Sequence, residues 1–203
     1  MPVGSDRQTA ADATPAASPA TLTVISGPMF AGKTTRLLEL VAQAEAAGRA
    51  VVVCSPAGDT RSGEGAVATH TGQRRAAVAC ASAEAVLAAA DQAAGTDAGV
   101  LVAVDEAHFF GAALVEPVRR LLARGGTAVV VAGLDLDHRG HGFEPFPTLH
   151  CLADRVEKLT APCARCGGAA VYSQRMVADQ GRIVVGGAGA YEARCRACFT
   201  GGV

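Results

Sequence analysis

Lysine is nearly missing from this chain: Lys33 and Lys158 are the only two in 203 residues. Positive charge is also not in excess, with 18 Lys and Arg against 19 Asp and Glu for a net charge of −1. That balance excludes the broad basic footprint of a nucleic-acid-binding surface, so no nucleic-acid partner is expected. Arg74-Arg75 and Arg119-Arg120 read as solvated surface. No uninterrupted apolar run is long enough to span a bilayer, so no membrane partner is expected either. Residues 1–21 lack the apolar stretch of a signal-peptide core and are rich in Ala, Pro, Ser, Thr and Asp; they read as a disordered tail, with a cytoplasmic location expected. The chain is too short for two motor domains. Its 50% hydrophobic and 18% charged residues suit one good core and a small appendage.

Against this background Lys33 stands inside a motif. Gly27-Pro28-Met29-Phe30-Ala31-Gly32-Lys33-Thr34 matches G-x-x-x-x-G-K-[ST] at every fixed position. An apolar strand, Leu22 to Ser26, precedes it, and a helix that carries Leu37, Leu38 and Val41 and ends near Gly48 follows. Gly27 and Gly32 permit the backbone to turn successive N–H groups toward phosphate oxygens, and the helix N-terminus adds positive potential. In such a loop Lys33 reaches the β and γ phosphates and Thr34 ligates Mg2+.

Strands and helices alternate downstream. Ala50–Cys54, Ala76–Cys80, Gly99–Val104 and Thr127–Ala132 read as strands; Ser82–Ala94, capped by Ser82, and Ala112–Arg124, stopped by Gly125-Gly126, read as helices. The pattern predicts an α/β fold with a mostly parallel sheet and ligands at the carboxyl ends of its strands. One of those ends carries Asp105-Glu106. Asp105 is the candidate Mg2+ carboxylate, and Glu106 the candidate acceptor for the proton of an attacking hydroxyl or water. Asp105-Glu106-Ala107-His108 also spells a helicase signature, but a helicase needs a second RecA-like domain that this length does not provide.

Past Lys158 the pattern breaks. Cys163-x-x-Cys166 and Cys195-x-x-Cys198 can each supply two thiolates from a tight knuckle, which together close a tetrahedral structural Zn2+ site. Disulfide pairing is the alternative that spacing leaves open. Cys54, Cys80 and Cys151 lie in apolar surroundings and read as small buried residues.

Taken in order, these motifs resemble those of the cytosolic-type (class II) thymidine kinases from about Leu22 to the C-terminus. The resemblance rests on residues 27–35, Asp59-Thr60-Arg61, Thr69-His70, Asp105-Glu106 with Phe109-Phe110, Gly133-Leu134-Asp135, Asp137 with Arg139, Tyr172-Ser173-Gln174-Arg175, Val185-Gly186-Gly187, Tyr191 and Cys195-Arg196-Ala197-Cys198. It implies a RecA-like P-loop domain over 22–160 and a zinc-binding, nucleoside-closing domain with a lasso-like loop over 161–203. The implied reaction moves the ATP γ-phosphoryl group to the 5′-hydroxyl of thymidine, with deoxyuridine as a second acceptor. Glu106, Lys33 and Arg61 are the implied catalytic residues. ATP and Mg2+ fall to Gly27, Pro28, Met29, Phe30, Ala31, Gly32, Lys33, Thr34, Thr35, Asp59 and Asp105. The nucleoside falls to Met29, Phe109, Leu134, Ser173, Arg182, Val184, Val185, Gly186 and Tyr191, and Zn2+ to Cys163, Cys166, Cys195 and Cys198. A homotetramer with feedback binding of thymidine triphosphate is also implied. The chain departs from the family pattern in having Ala107-His108 for the usual Gly-Gln, Thr71 where an acid is common, and His138 for an aromatic residue. A small P-loop NTPase whose zinc lasso binds a protein or nucleic acid is the competing reading, and a catalytically silent scaffold a third.

Overall fold

A computed structural model describes residues 19–59, 65–69, 72–93, 99–177 and 189–201. The chain starts with strand β1 (Thr21–Ser26), the phosphate-loop segment and helix α1 (Lys33–Ala46), then β2 (Ala50–Pro56). A short hairpin of β3 (Ala66–Ala68) and β4 (Arg74–Ala76) leads to β5 (Val78–Cys80), α2 (Ala83–Gln92) and β6 (Val100–Val104). A 3-10 helix (Ala107–Leu114) runs into α3 (Val115–Leu122), followed by β7 (Thr127–Gly133), α4 (Phe146–Leu152) and β8 (Arg155–Lys158).

Six of these strands form one sheet in the order β5-β2-β6-β7-β1-β8, and every neighbouring pair is parallel. Both faces of such a sheet must be covered, and the period of two along each strand assigns alternate residues to opposite cores. Val102 and Val104 join Val129, Val131, Leu22 and Val24 against α2, α3 and α4 on one face. Leu101 and Ala103 join Val130, Ala132 and Ile25 beneath Leu37, Leu38 and Val41 of α1 on the other. The valine-rich runs are therefore buried on both sides, which is why they read as continuous apolar segments.

Helix ends follow local chemistry. The α1 helix stops at Gly48, whose φ of 76° is a left-handed value; Gly48 N–H donates to Glu45 O and Arg49 N–H to Ala44 O, satisfying the last carbonyls. Ser82 caps α2 by accepting from the Ala85 N–H at 3.3 Å.

Three expectations need correction. Ala76–Cys80 is not one strand: Arg74–Ala76 pairs antiparallel with β3, while Val78–Cys80 pairs parallel with β2. The helix expected from Ala112 begins as an α-helix only at Val115, because Gly111 (φ 59°, ψ −156°) breaks the preceding 3-10 turns. Cys151 is exposed rather than buried, on a helix that the alternation did not predict.

After β8 the chain forms two small antiparallel pairs. β9 (Ala161–Pro162) pairs with β10 (Ala169–Ala170), and β11 (Tyr172–Arg175) with β12 (Tyr191–Arg194). They pack on the sheet domain through the phosphate loop itself: Phe30 and Ala31 lie against Ala161, Cys163, Ala170 and Ala193.

Candidate active site

Because the sheet is parallel and its central strands are in register, their carboxyl ends stand side by side. Ser26 pairs with Gly133, Val104 with Val131, and Cys54 with Val104. Four connections leave this edge together, carrying the 27–34 loop, Asp105-Glu106, Leu134 and Asp59. They enclose a cavity of about 280 Å³. Its lining includes Met29, Lys33 and Thr34 from the loop, Asp105 and Glu106 from the acid strand, and Leu134.

The loop is built on two glycines with different constraints. Gly27 has φ 142°, and a Cβ there would stand 2.4 Å from the backbone oxygen of Leu159. Gly32 has open space but φ 79°, a left-handed conformation at the start of α1. No side chain caps this helix and no acid lies in its first turn, so no carboxylate there offsets the positive end of its dipole. Phe30 takes φ 66° without being a glycine, a strained conformation held by its packing against the cysteine module. Gly27→Ala is expected to weaken ATP binding by at least about 10-fold, the scale on which a misplaced positioning group acts. Titration with a fluorescent ATP analogue measures it, and an unchanged circular dichroism spectrum separates loop damage from unfolding.

Burial shapes the half of the cavity that gathers oxygen donors. Thr34 Oγ1 donates to Asp105 Oδ2 at 2.8 Å, bringing together two hard oxygens of the kind Mg2+ takes. Lys33 is buried, with Nζ donating to Pro28 O at 2.7 Å. Asp105 is pushed up to about 7, first by burial and then by the Glu106 carboxylate; the Thr34 hydroxyl, the Glu106 N–H and Lys33 pull the other way. A carboxyl raised in the fold favours the protonated native state, so its contribution to stability is lost as pH rises from about 4 through 7, unless a cation compensates the charge. Metal-free Asp105→Asn should therefore match wild type in thermal stability near pH 4 and exceed it by up to about 10 °C at pH 8, at roughly 1.4 kcal/mol per pH unit and 2–4 °C per kcal/mol for a chain of this size. Mg-ATP should raise the wild-type midpoint and leave the variant's nearly unchanged.

Glu106 lines the same cavity with φ 49°, a second non-glycine left-handed residue at the site. Asp59 and Thr35 line it as well. Phe109 and Tyr191 do not: Phe109 packs at a tilt against His108 with centroids 4.5 Å apart, and Tyr191 lines a separate apolar hollow together with Phe30. The Tyr191 hydroxyl accepts from Arg175 Nη2 at 3.1 Å, and Ser173 Oγ accepts from the Met29 N–H at 3.0 Å, fastening β11 to the phosphate loop. Arg61, Arg182, Val184, Val185 and Gly186 lie outside the described residues, as do His70 and Thr71.

The four cysteines form one cluster rather than two separate pairs. All four sulfurs lie within 4.8 Å of one another, and Cys166 and Cys195 Sγ are 3.6 Å apart. A tetrahedral Zn2+ with Zn–S of about 2.3 Å sets its sulfurs about 3.8 Å apart, so the residues fit the ion. The Cys195 N–H and other backbone donors pull the Cys163 thiol down to about 6, which favours the thiolate a metal requires.

Several site residues had no signal in the sequence. Ser55 and Val67 line the cavity only because β2 and the β3–β4 hairpin bring them there. Lys158, the second lysine, pairs with buried Asp135 at 2.7 Å; Asp135 also accepts from Ser26 Oγ at 3.4 Å, and His150 Nε2 lies 3.2 Å from that hydroxyl. This network ties together the ends of β1, β7 and β8 beneath the loop.

The fold and the cavity define an α/β P-loop protein with an attached four-cysteine module. A family model for thymidine kinase matches residues 20–199. The chain is 41% identical over 184 residues to the thymidine kinase of Chloroflexus aurantiacus, covering 87% of this chain and 92% of that protein. It is 42% identical over 176 residues to that of a Rhodothermus species, at 87% and 79% coverage. To that of Halobacterium salinarum it is 41% identical over 182 residues, at 86% and 91%. The chain belongs to the thymidine kinase family.

Proposed function

We propose that this protein transfers the γ-phosphoryl group of ATP to the 5′-hydroxyl of thymidine, and of deoxyuridine, producing the 5′-monophosphate for pyrimidine deoxynucleotide salvage. The observation that carries the proposal is one cavity lined at once by Lys33 and Thr34, by Asp105 and Glu106, and by the apolar side chains of Met29 and Leu134. Donor phosphates, proton acceptor and acceptor base thus share one enclosure. Phosphoryl transfer asks mainly for alignment and charge stabilisation, and this enclosure suits both.

In this mechanism the 27–35 loop and the α1 N-terminus bind the ATP phosphates, with Lys33 on the β and γ groups. Thr34 and Asp105, with Asp59 nearby, would hold Mg2+, which neutralises charge on the transferred group when bound. Glu106 accepts the 5′-hydroxyl proton as that oxygen attacks, and Arg61 supplies further positive charge. Met29 and Leu134 form the nucleoside wall of the cavity, and the family resemblance adds Phe109, Ser173 and Tyr191, which stand outside that lining, together with Arg182, Val184, Val185 and Gly186; flat bases suit apolar walls and uncharged edge contacts. Cys163, Cys166, Cys195 and Cys198 would hold Zn2+, and so anchor the closing segment. We also propose the division into 22–160 and 161–203. The family resemblance further supports a cytoplasmic homotetramer that binds thymidine triphosphate as a feedback ligand. Among the described residues no helix is long and apolar enough to cross a membrane.

ADP release measured with and without thymidine or deoxyuridine tests the reading. Release that depends on the nucleoside, with a matching yield of monophosphate, is expected. Hydrolysis of ATP with no phosphorylated nucleoside would leave only an NTPase.

A further inference from the structure

His108 replaces the usual residue of its family at a position that touches both halves of the acceptor site. It is buried at the head of the 3-10 helix, with 4% of its surface exposed. Its Nδ1 lies 3.3 Å from the Leu134 nitrogen and 3.5 Å from Glu106 Oε2. Phe109 and Phe143 hold the ring at centroid distances of 4.5 and 5.1 Å. Residue 133 is a glycine, whose missing Cβ would stand 2.9 Å from Phe146 Cζ and 3.0 Å from that same Nδ1. The strand end thus leaves room for both the Phe146 ring and this nitrogen.

The direction of the hydrogen bond fixes the chemistry. A backbone N–H can only donate, so Nδ1 accepts from Leu134 and the ring proton sits on Nε2, leaving a neutral imidazole. An Nδ1 lone pair does not hydrogen-bond an ionised Glu106. Instead it keeps the Leu134 N–H occupied, tying the end of β7 to the segment that carries Glu106.

We propose that His108 is a positioning residue whose Nδ1 joins the strand end bearing Glu106 to the strand end bearing Leu134, holding the carboxylate toward the cavity and the apolar wall at a fixed distance from it. The inference rests on the reading of Glu106 as proton acceptor and Leu134 as a wall of the nucleoside pocket. The role depends on a nitrogen at the Nδ1 position rather than on the ring as filler.

Two substitutions separate those possibilities. His108→Phe keeps an aromatic ring between Phe109 and Phe143 but removes the acceptor, so the Leu134 N–H loses its partner and the link between the two strand ends is broken. His108→Asn gives up the ring but places an amide group where Nδ1 stood. The Phe variant is expected to lose about 10- to 100-fold in kcat for thymidine, as misplacement of a reacting group by about 1 Å does, with MgATP affinity unchanged. The Asn variant is expected to recover most of that loss. Retained kcat in the Phe variant, or a larger loss in Asn than in Phe, overturns the proposal. Nitrogen NMR of the wild-type imidazole gives a readout independent of turnover: a bare Nδ1 and a protonated Nε2 support it, and a proton on Nδ1 overturns it. If the wild type phosphorylates no nucleoside, the kinase reading fails, and the tautomer still decides the link between the two strand ends.

Discussion

Glu106→Gln is expected to lower kcat for nucleoside phosphorylation by roughly 10²- to 10⁴-fold, the range contributed by a positioned general base. The substitution preserves size and the left-handed backbone conformation of residue 106, so the fold should persist. It removes only the capacity to take up a proton. ATP binding should survive, since the loop, Lys33 and the Thr34–Asp105 pair are separate groups. The Glu106 charge also raises the proton affinity of buried Asp105. Its removal favours ionised Asp105, and MgATP affinity should hold or improve. Rapid-quench measurement of the transfer step together with a MgATP titration separates these effects. A near-normal transfer rate would remove Glu106 from the chemistry.

The second large effect is expected from Cys166→Ser. Cys166 is the exposed member of the cluster, so the exchange of sulfur for oxygen costs little packing, unlike a change at buried Cys163. Structural zinc sites are worth about 10–16 kcal/mol of apparent binding energy in small zinc-dependent domains, and loss of one thiolate opens the shell. Metal content should fall from one Zn2+ per chain to nearly none. The consequence should reach past the module, because Phe30 and Ala31 of the phosphate loop pack on it and Ser173 holds the Met29 N–H. KM should rise for thymidine by about 10-fold or more, which is ~1.4 kcal/mol per decade, and to a smaller degree for ATP. A metal-free variant with wild-type constants for both substrates would show that the cysteine module supports neither.

What the sequence revealed and what it hid divide along physical lines. Motifs whose chemistry demands fixed residue types at short spacing were legible: the 27–34 loop, the acid pair at the end of β6, and the two cysteine knuckles. Strands buried on both faces were legible for a similar reason, since Val100–Val104 and Thr127–Gly133 can hardly be anything but interior. The edge strand β8 escaped notice because Arg155-Val156-Glu157-Lys158 has a single apolar side chain, and that one is exposed. The β3–β4 hairpin is too short for periodicity to show. Contacts across long separations were hidden altogether. His108 stood only as a departure from the family pattern until the fold brought it beside Leu134, 26 residues on. Lys158 had no role until Asp135 was seen at 2.7 Å. Of the residues assigned to the nucleoside, Met29 and Leu134 share the cavity with the catalytic candidates. Ser173 and Tyr191 hold neighbouring parts of the protein through their hydroxyls.

The central claim is that one cavity aligns the ATP γ-phosphoryl group with a nucleoside 5′-hydroxyl. The most direct measurement supplies ATP labelled with heavy oxygen in its γ-phosphoryl group, together with thymidine, and follows the label by mass spectrometry, with 5′-deoxythymidine as the control lacking the accepting oxygen. The account predicts labelled thymidine 5′-monophosphate in amounts equal to the ADP formed, and no nucleotide from the control. Label released only as inorganic phosphate in both reactions would contradict it.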